Sequence, residues 1–166
     1  MPGTTNRLLR IAVCLALLTE MSAARAYLFE EGDRGMVQIS PYVYHRFDNT
    51  DHNQYPRLLG LEYESAGHWL LGGVAFRNSY YQDSTFIYGG KRWFLDSTDQ
   101  HFYVKLAVGL VYGYKEPYED KLPVNHDGYG LGIAPTLGYQ FKRANVQLVI
   151  LGVSAAAITF GYDLWN

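Results

Sequence analysis

A chain of 166 residues with a formal net charge of −2, one cysteine, 15 tyrosines and 17 glycines has the length of a single domain and no basic surplus that would hold nucleic acid. It carries no CxxC, HExxH, GxSxG, P-loop or EF-hand spacing, which sets aside the common metal, nucleotide and hydrolase signatures. His52, His126, Asp51 and Asp127 fall in no ligand spacing, so neither a metal nor a cofactor is expected.

The first residues, 1–26, have the layout of a secretory signal peptide. Arg7 and Arg10 precede the apolar run Ile11 to Leu18, and small residues follow up to Ala24-Arg25-Ala26. That run is far short of the roughly 20 residues a membrane-spanning helix needs. Cleavage before Tyr27 removes Cys14, so a mature domain of 27–166 holds itself without disulfides, by burial or by closing a sheet.

After a short charged lead-in, "YLFEEGDRG", eight segments of strand length follow, at roughly 36–47, 56–65, 68–79, 84–94, 101–113, 128–141, 145–153 and 156–165. The fifth, "FYVKLAVGLVY", places Phe102, Val104, Leu106, Val108, Leu110 and Tyr112 on one face, with Lys105, Ala107 and Gly109 on the other. The sixth, "YGLGIAPTLGYQF", alternates large apolar residues with Gly130, Gly132, Ala134, Thr136, Gly138 and Gln140. Both outrun the ordinary soluble strand of about 5–6 residues. Connections of different length tend to alternate: "DNTDHNQY" and "KEPYEDKLPVNHDG" are long, whereas "SAG", "LDSTDQ" and "KRAN" are short. Aromatic residues cluster near strand ends, among them Tyr42, Tyr44, Trp69, Trp93, Tyr129, Phe141 and Trp165.

These features give an all-β expectation: an eight-stranded antiparallel transmembrane β-barrel of the bacterial outer membrane. A soluble sandwich or lipocalin-like barrel is the alternative. The face opposite the large residues of the fifth and sixth segments is too small and apolar for a solvated surface. With the N-terminus in the periplasm, the ends near His45, Ser79 and Tyr114 emerge at the cell exterior. Parity then assigns Leu70, Val74 and Phe76 to lipid and Gly73, Ala75, Arg77 and Ser79 to the interior. In the first segment His45 shares parity with Val37, Ile39 and Val43, so either all face inward or a bulge intervenes. Ala107, Gly109, Val111, Gly130, Gly132 and Ala134 leave the outer interior underfilled, an apolar slot suited to an acyl chain. Glu62, Glu64, Lys105, Gln140 and Gln147 plug the lower half.

The stretches "ISPYVYHRF" (39–47), "NQYP" (53–56), "HWLLGGVAFRNS" (68–79), "KLPV" and "IAPTLGY" resemble the lipid A palmitoyltransferase family of the outer membrane, PagP. The resemblance touches much of the mature chain in short matches, and the histidine motif and "AFRNS" carry most of it. It implies transfer of a palmitoyl chain from a phospholipid to lipid A, in an eight-stranded barrel with an interior acyl pocket. His45 matches the family histidine and Ser79 its serine, but Asn78 stands where the family has aspartate. Pro41, Pro56, Pro123 and Pro135 resemble family prolines that interrupt strand pairing and open lateral entrances for lipid. The family's amphipathic N-terminal helix has no match in Tyr27–Gly35.

Acyl transfer needs a base for a hydroxyl proton and donors for the developing oxyanion. His45 is the candidate base, its ordinary pKa lying near physiological pH. Ser79 is a candidate to donate to the oxyanion, orient lipid or become acylated. Asn78 is a candidate to orient His45 or donate, and Asp83 with Ser84 forms an Asp-Ser pair to which the acid could have moved. Arg77, Lys115 and Lys121 are candidates to grip lipid A phosphates. The expected partners are membrane lipids alone, with no nucleic acid, around a monomer whose site faces the exterior. Two other functions stay open: a non-enzymatic barrel that binds or transports lipid or small solutes, and a lipid A deacylase or phospholipase.

Overall fold

Period-two alternation produces eight strands in the computed structural model: β1 (Arg34–His45), β2 (Leu58–Glu64), β3 (Trp69–Arg77), β4 (Asp83–Phe94), β5 (Phe102–Tyr112), β6 (Tyr129–Phe141), β7 (Ala144–Leu151) and β8 (Ala155–Trp165). Every boundary falls within two residues of the range expected from sequence. The structure describes residues 30–46, 52–96, 98, 100–122 and 124–165. The expected signal segment lies outside these residues, as do Asp51 and Pro123. Each strand pairs antiparallel with its neighbour in the chain, and β8 returns to β1. The result is a closed barrel. One end carries the β2–β3, β4–β5 and β6–β7 turns. The other, the loop end, carries the β1–β2, β3–β4, β5–β6 and β7–β8 connections. A 3-10 turn, Glu119–Lys121, is the one helical element among the described residues.

The polarity of this barrel is inverted. Leu59, Leu61, Leu71, Ile87 and Leu110 are 60–65 % exposed on the outside, whereas Glu62, Glu64, Arg92, Lys105 and Asp163 are at most 6 % exposed within. The interior charges of the turn-end half are paired. Lys105 Nζ donates to both oxygens of Glu62 at 3.0 and 2.9 Å, and Tyr88 donates to Glu62 Oε2 at 2.6 Å. Arg92 binds Glu64, and Arg34 binds Asp163 and Gln140. An isolated buried charge would be prohibitive, but here each of three interior cations meets one of three anions. Glu62, Glu64, Lys105, Gln140 and Gln147 thus all lie where the sequence puts them.

Strands β5 and β6 also keep their expected parity, with Ala107, Gly109, Val111, Gly132 and Ala134 inward. Strand β3 does not. Leu70 and Val74 are buried inside and Phe76 packs beside them, while Trp69, Leu71, Ala75 and Arg77 face out. Both faces of this strand carry large apolar residues, so hydropathy alone does not choose between them. Its partner does. Tyr88 and Arg92 of β4 must reach the ionic interior, and the register Leu70↔Gly90, Gly72↔Tyr88, Val74↔Phe86 turns the matching β3 residues inward with them.

This reversal fills the slot that looked empty. Val74, Tyr88, Ala107 and Ala134 form an apolar cluster, with Leu58, Phe76, Phe86 and Val149 packed against it. A Cβ on Gly132 would come within 2.7 Å of Phe86 and Val111. Gly109 is no slot floor either: a Cβ there would lie 1.9 Å from the carbonyl oxygen of Ile87. It marks a close approach of β5 to the backbone of β4.

Two ladders stop short of the loop end, each at a proline. The β1–β2 ladder ends at Ser40↔Leu58, one step before Pro41. The β6–β7 ladder ends at Thr136↔Val149, one step before Pro135. Proline has no N–H to give the next rung.

Candidate active site at the loop end

His45 reaches the interior because β1 is bulged. Met36, Gln38 and Ser40 face inward along the first part of the strand, and without interruption His45 would face outward. The register against β8 shifts between Ile39 and Tyr42, which places Val43 and His45 inside. Of the two arrangements open at the sequence level, the bulge is the one that forms. It sits at Ser40-Pro41, a position where a missing donor costs least. The Ser40 hydroxyl, donating to the Ile158 carbonyl at 2.7 Å, ties it to β8.

Ser79 is carried by the β3–β4 loop, and Asn53 of the β1–β2 loop brings the two loops together. The Asn53 backbone N–H donates to the Ser79 carbonyl at 2.8 Å. Its side-chain amide donates to the carbonyls of Arg77 and Asn78 at 3.1 and 3.2 Å. The outcome is a contact of 2.8 Å between His45 Nε2 and Ser79 Oγ. His45 is 5 % exposed. A base and a hydroxyl at this distance form a dyad capable of activating the hydroxyl as a nucleophile.

The other candidates take different places. Asn78 is buried, and its Oδ1 accepts from the N–H groups of Tyr80 and Gln82 at 2.9 and 3.0 Å. Its Nδ2 donates to Ser84 Oγ at 3.1 Å and to the Gly113 carbonyl at 3.4 Å. Asn78 and Ser84 therefore build the loop that presents Ser79, and neither amide atom of Asn78 is directed at His45. Asp83 opens β4 on the outward face, opposite Arg77 in the register. Arg77 also faces out, donating to the Tyr81 carbonyl at 2.8 Å and lying over the Tyr81 ring, so its expected inward placement is overturned. Lys115 is exposed over the Tyr112 ring, and the bond to that hydroxyl raises its ammonium pKa. Lys121 is exposed and paired with Asp120 at 2.7 Å, which raises its pKa likewise.

A group of rings that the sequence reading left aside surrounds the dyad. His52 stacks on His45, with ring centroids 5.0 Å apart at 25°. Tyr80 meets His52 edge-on at 5.2 Å and stacks on Tyr118 at 4.0 Å, and Tyr114 meets Tyr80 edge-on. Burial pushes the Tyr114 phenol up to about 12 and raises Tyr80 in the same direction. Neither Asn53 nor the rings had a spacing signal, since separate loops supply them. Among the described residues no cluster of His, Cys, Asp or Glu could hold a metal ion. Comparison of the chain with family models and with curated proteins finds no match.

Proposed function

We propose that this chain is an outer-membrane acyltransferase that moves an acyl chain, palmitoyl by resemblance, from a phospholipid to lipid A. The observation that carries the reading is the 2.8 Å contact of His45 Nε2 with Ser79 Oγ, at the positions the resemblance singles out. The inverted polarity supports a membrane setting, because a closed barrel with an apolar exterior satisfies its backbone without water. Aromatic rings with cations over them occur toward both ends, as in Trp69 with Lys91, Phe141 with Lys142 and Tyr112 with Lys115. Such pairs suit the two water–lipid boundaries. An open apolar groove of about 360 Å³, lined chiefly by Trp93, Val104, Leu106, Pro135 and Leu137 of β4 to β6, reaches Ile150 across the unzipped β6–β7 seam. It supports lateral entry of a lipid chain.

With Ser79 Oγ already on Nε2, Ser79 is the first acceptor. Its oxygen attacks the phospholipid ester carbonyl while His45 takes the hydroxyl proton. The bond to the glycerol oxygen breaks, and that oxygen receives the proton, leaving acyl-Ser79 and a lysophospholipid. A lipid A hydroxyl then gives its proton to His45 and takes the acyl chain, which restores the Ser79 hydroxyl. A water molecule in the second step would make the same dyad a deacylase or phospholipase. Mass spectrometry of lipid A from outer membranes with and without the protein separates these outcomes. Added acyl mass supports the transferase, lost acyl mass the deacylase, and unchanged lipid A the non-enzymatic barrel. His45→Ala and Ser79→Ala should each lower transfer by about 10²–10⁴-fold while the protein still shifts mobility on heating before electrophoresis. Full activity in both variants, or recovery of the wild type as a soluble protein, defeats the reading.

A further inference from the structure

We propose that His52, a residue of the β1–β2 loop, positions the His45 imidazole for the dyad by stacking on it. The terminal torsion of a histidine is soft and broad. The 2.8 Å contact with Ser79 Oγ depends on the plane of that ring, and a second flat ring stacked on it restricts the rotation. Asn78, which stands where the resemblance has an acid, does not do this, because its amide is committed to Tyr80, Gln82, Ser84 and Gly113. The ring of His52 lies nearly parallel to that of His45, 5.0 Å away at 25°.

His52 is itself held on two sides. Its neighbour Asn53 is clamped to the loop that carries Ser79 by three hydrogen bonds. Its edge rests on Tyr80, and Tyr80 is backed by Tyr118 of the β5–β6 loop at 4.0 Å and 13°. The same local structure thus fixes Ser79 and the ring that aligns its base. His52 acts through His45 and touches no reacting atom, so a flat ring of another kind should replace it.

The kinetic arm of the test rests on the acyl-transfer reading; the spectroscopic arm does not. His52→Ala and His52→Phe are made in the full chain, reconstituted with phospholipid and lipid A, and checked for heat-shifted mobility. His52→Ala should lower kcat by about 10²-fold, the scale set by misplacing a reacting group by an ångström, with KM unchanged. His52→Phe should restore kcat to within a few-fold. In spectra of ¹⁵N-histidine protein, the His45 Nε2 signal should move in His52→Ala toward its position in Ser79→Ala, and stay in place in His52→Phe. Wild-type kcat and an unmoved signal in His52→Ala would falsify the proposal, as would a Phe variant that behaves like the Ala variant in both measurements. Should the wild type transfer no acyl group, the enzymatic reading fails, and the His45 signal alone decides whether His52 holds the ring.

Discussion

The amide of Asn78 is oriented by everything around it. Two backbone N–H groups point at Oδ1, and Nδ2 faces Ser84 Oγ, the Gly113 carbonyl and Gln82 Oε1. An aspartate would set a carboxylate oxygen against the carbonyl oxygens of Gly113 and Gln82, in a site where Asn78 is 2 % exposed. Converting Asn78 to the aspartate that the resemblance calls for should therefore harm this protein, with about 1–3 kcal/mol lost to unpaired buried acceptors. Asn78→Asp should lower the midpoint of the heat-induced mobility shift and reduce acyl transfer. A variant as stable as the wild type and more active would show that the acid belongs here after all. Asp83 faces outward and contributes nothing to the dyad, so Asp83→Asn should transfer at the wild-type rate in the same assay.

At the level of the strands, prolines decide where the wall opens. The next rung of the β6–β7 ladder would join Pro135 to Ile150, and the missing N–H stops it there. Pro135→Ala restores a donor. The ladder should extend, the barrel should resist heat at least as well, and transfer from phospholipid should fall several-fold because the proposed side entry for a lipid chain closes. The measurement is initial rate in vesicles against rate with detergent-dispersed phospholipid; equal rates of wild type and variant in both would remove the seam from the mechanism. The same strands show what sequence can and cannot reveal. Strands β5 and β6 were legible because one face is small throughout. Strand β3 was not, since Leu70 and Leu71 are equally apolar and only the pairing with Tyr88 and Arg92 distinguishes inside from outside. The β1 bulge left a parity conflict at His45 that the sequence displayed but could not resolve.

Across the whole molecule, the chain divides its interior into an ionic half and an apolar half. The number of strands, the closure and the charged plug followed from alternation and from Glu62, Glu64 and Lys105. The filling of the apolar half did not, because it comes from β3 and β4 rather than from the small residues of β5 and β6. Under the proposed reaction, an acyl chain descending from the dyad needs the space beside Gly132 that Phe86 and Val111 fill, where the Phe86 ring stacks at 4.9 Å on Tyr88. Tyr88 cannot yield easily, since it donates to Glu62 at 2.6 Å and accepts from Gln38 at 2.8 Å. Phe86 has no such tether, so it is the ring that can move and Tyr88 the one that is fixed. Phe86→Ala should open that space and, under the proposed reaction, shift the transferred acyl group toward longer chains. The cost is at most the roughly 3–5 kcal/mol of a buried Phe→Ala change, and less here because Phe86 is only half-buried. Gly109→Met is the wrong probe, because its side chain would strike the β4 backbone before filling any space. The test compares the mass of the acyl group added to lipid A by wild type and Phe86→Ala, at matched amounts of heat-shifting protein and with phospholipids of mixed chain length. A folded, active variant that adds the same chains in the same proportions would place the ruler outside the barrel interior.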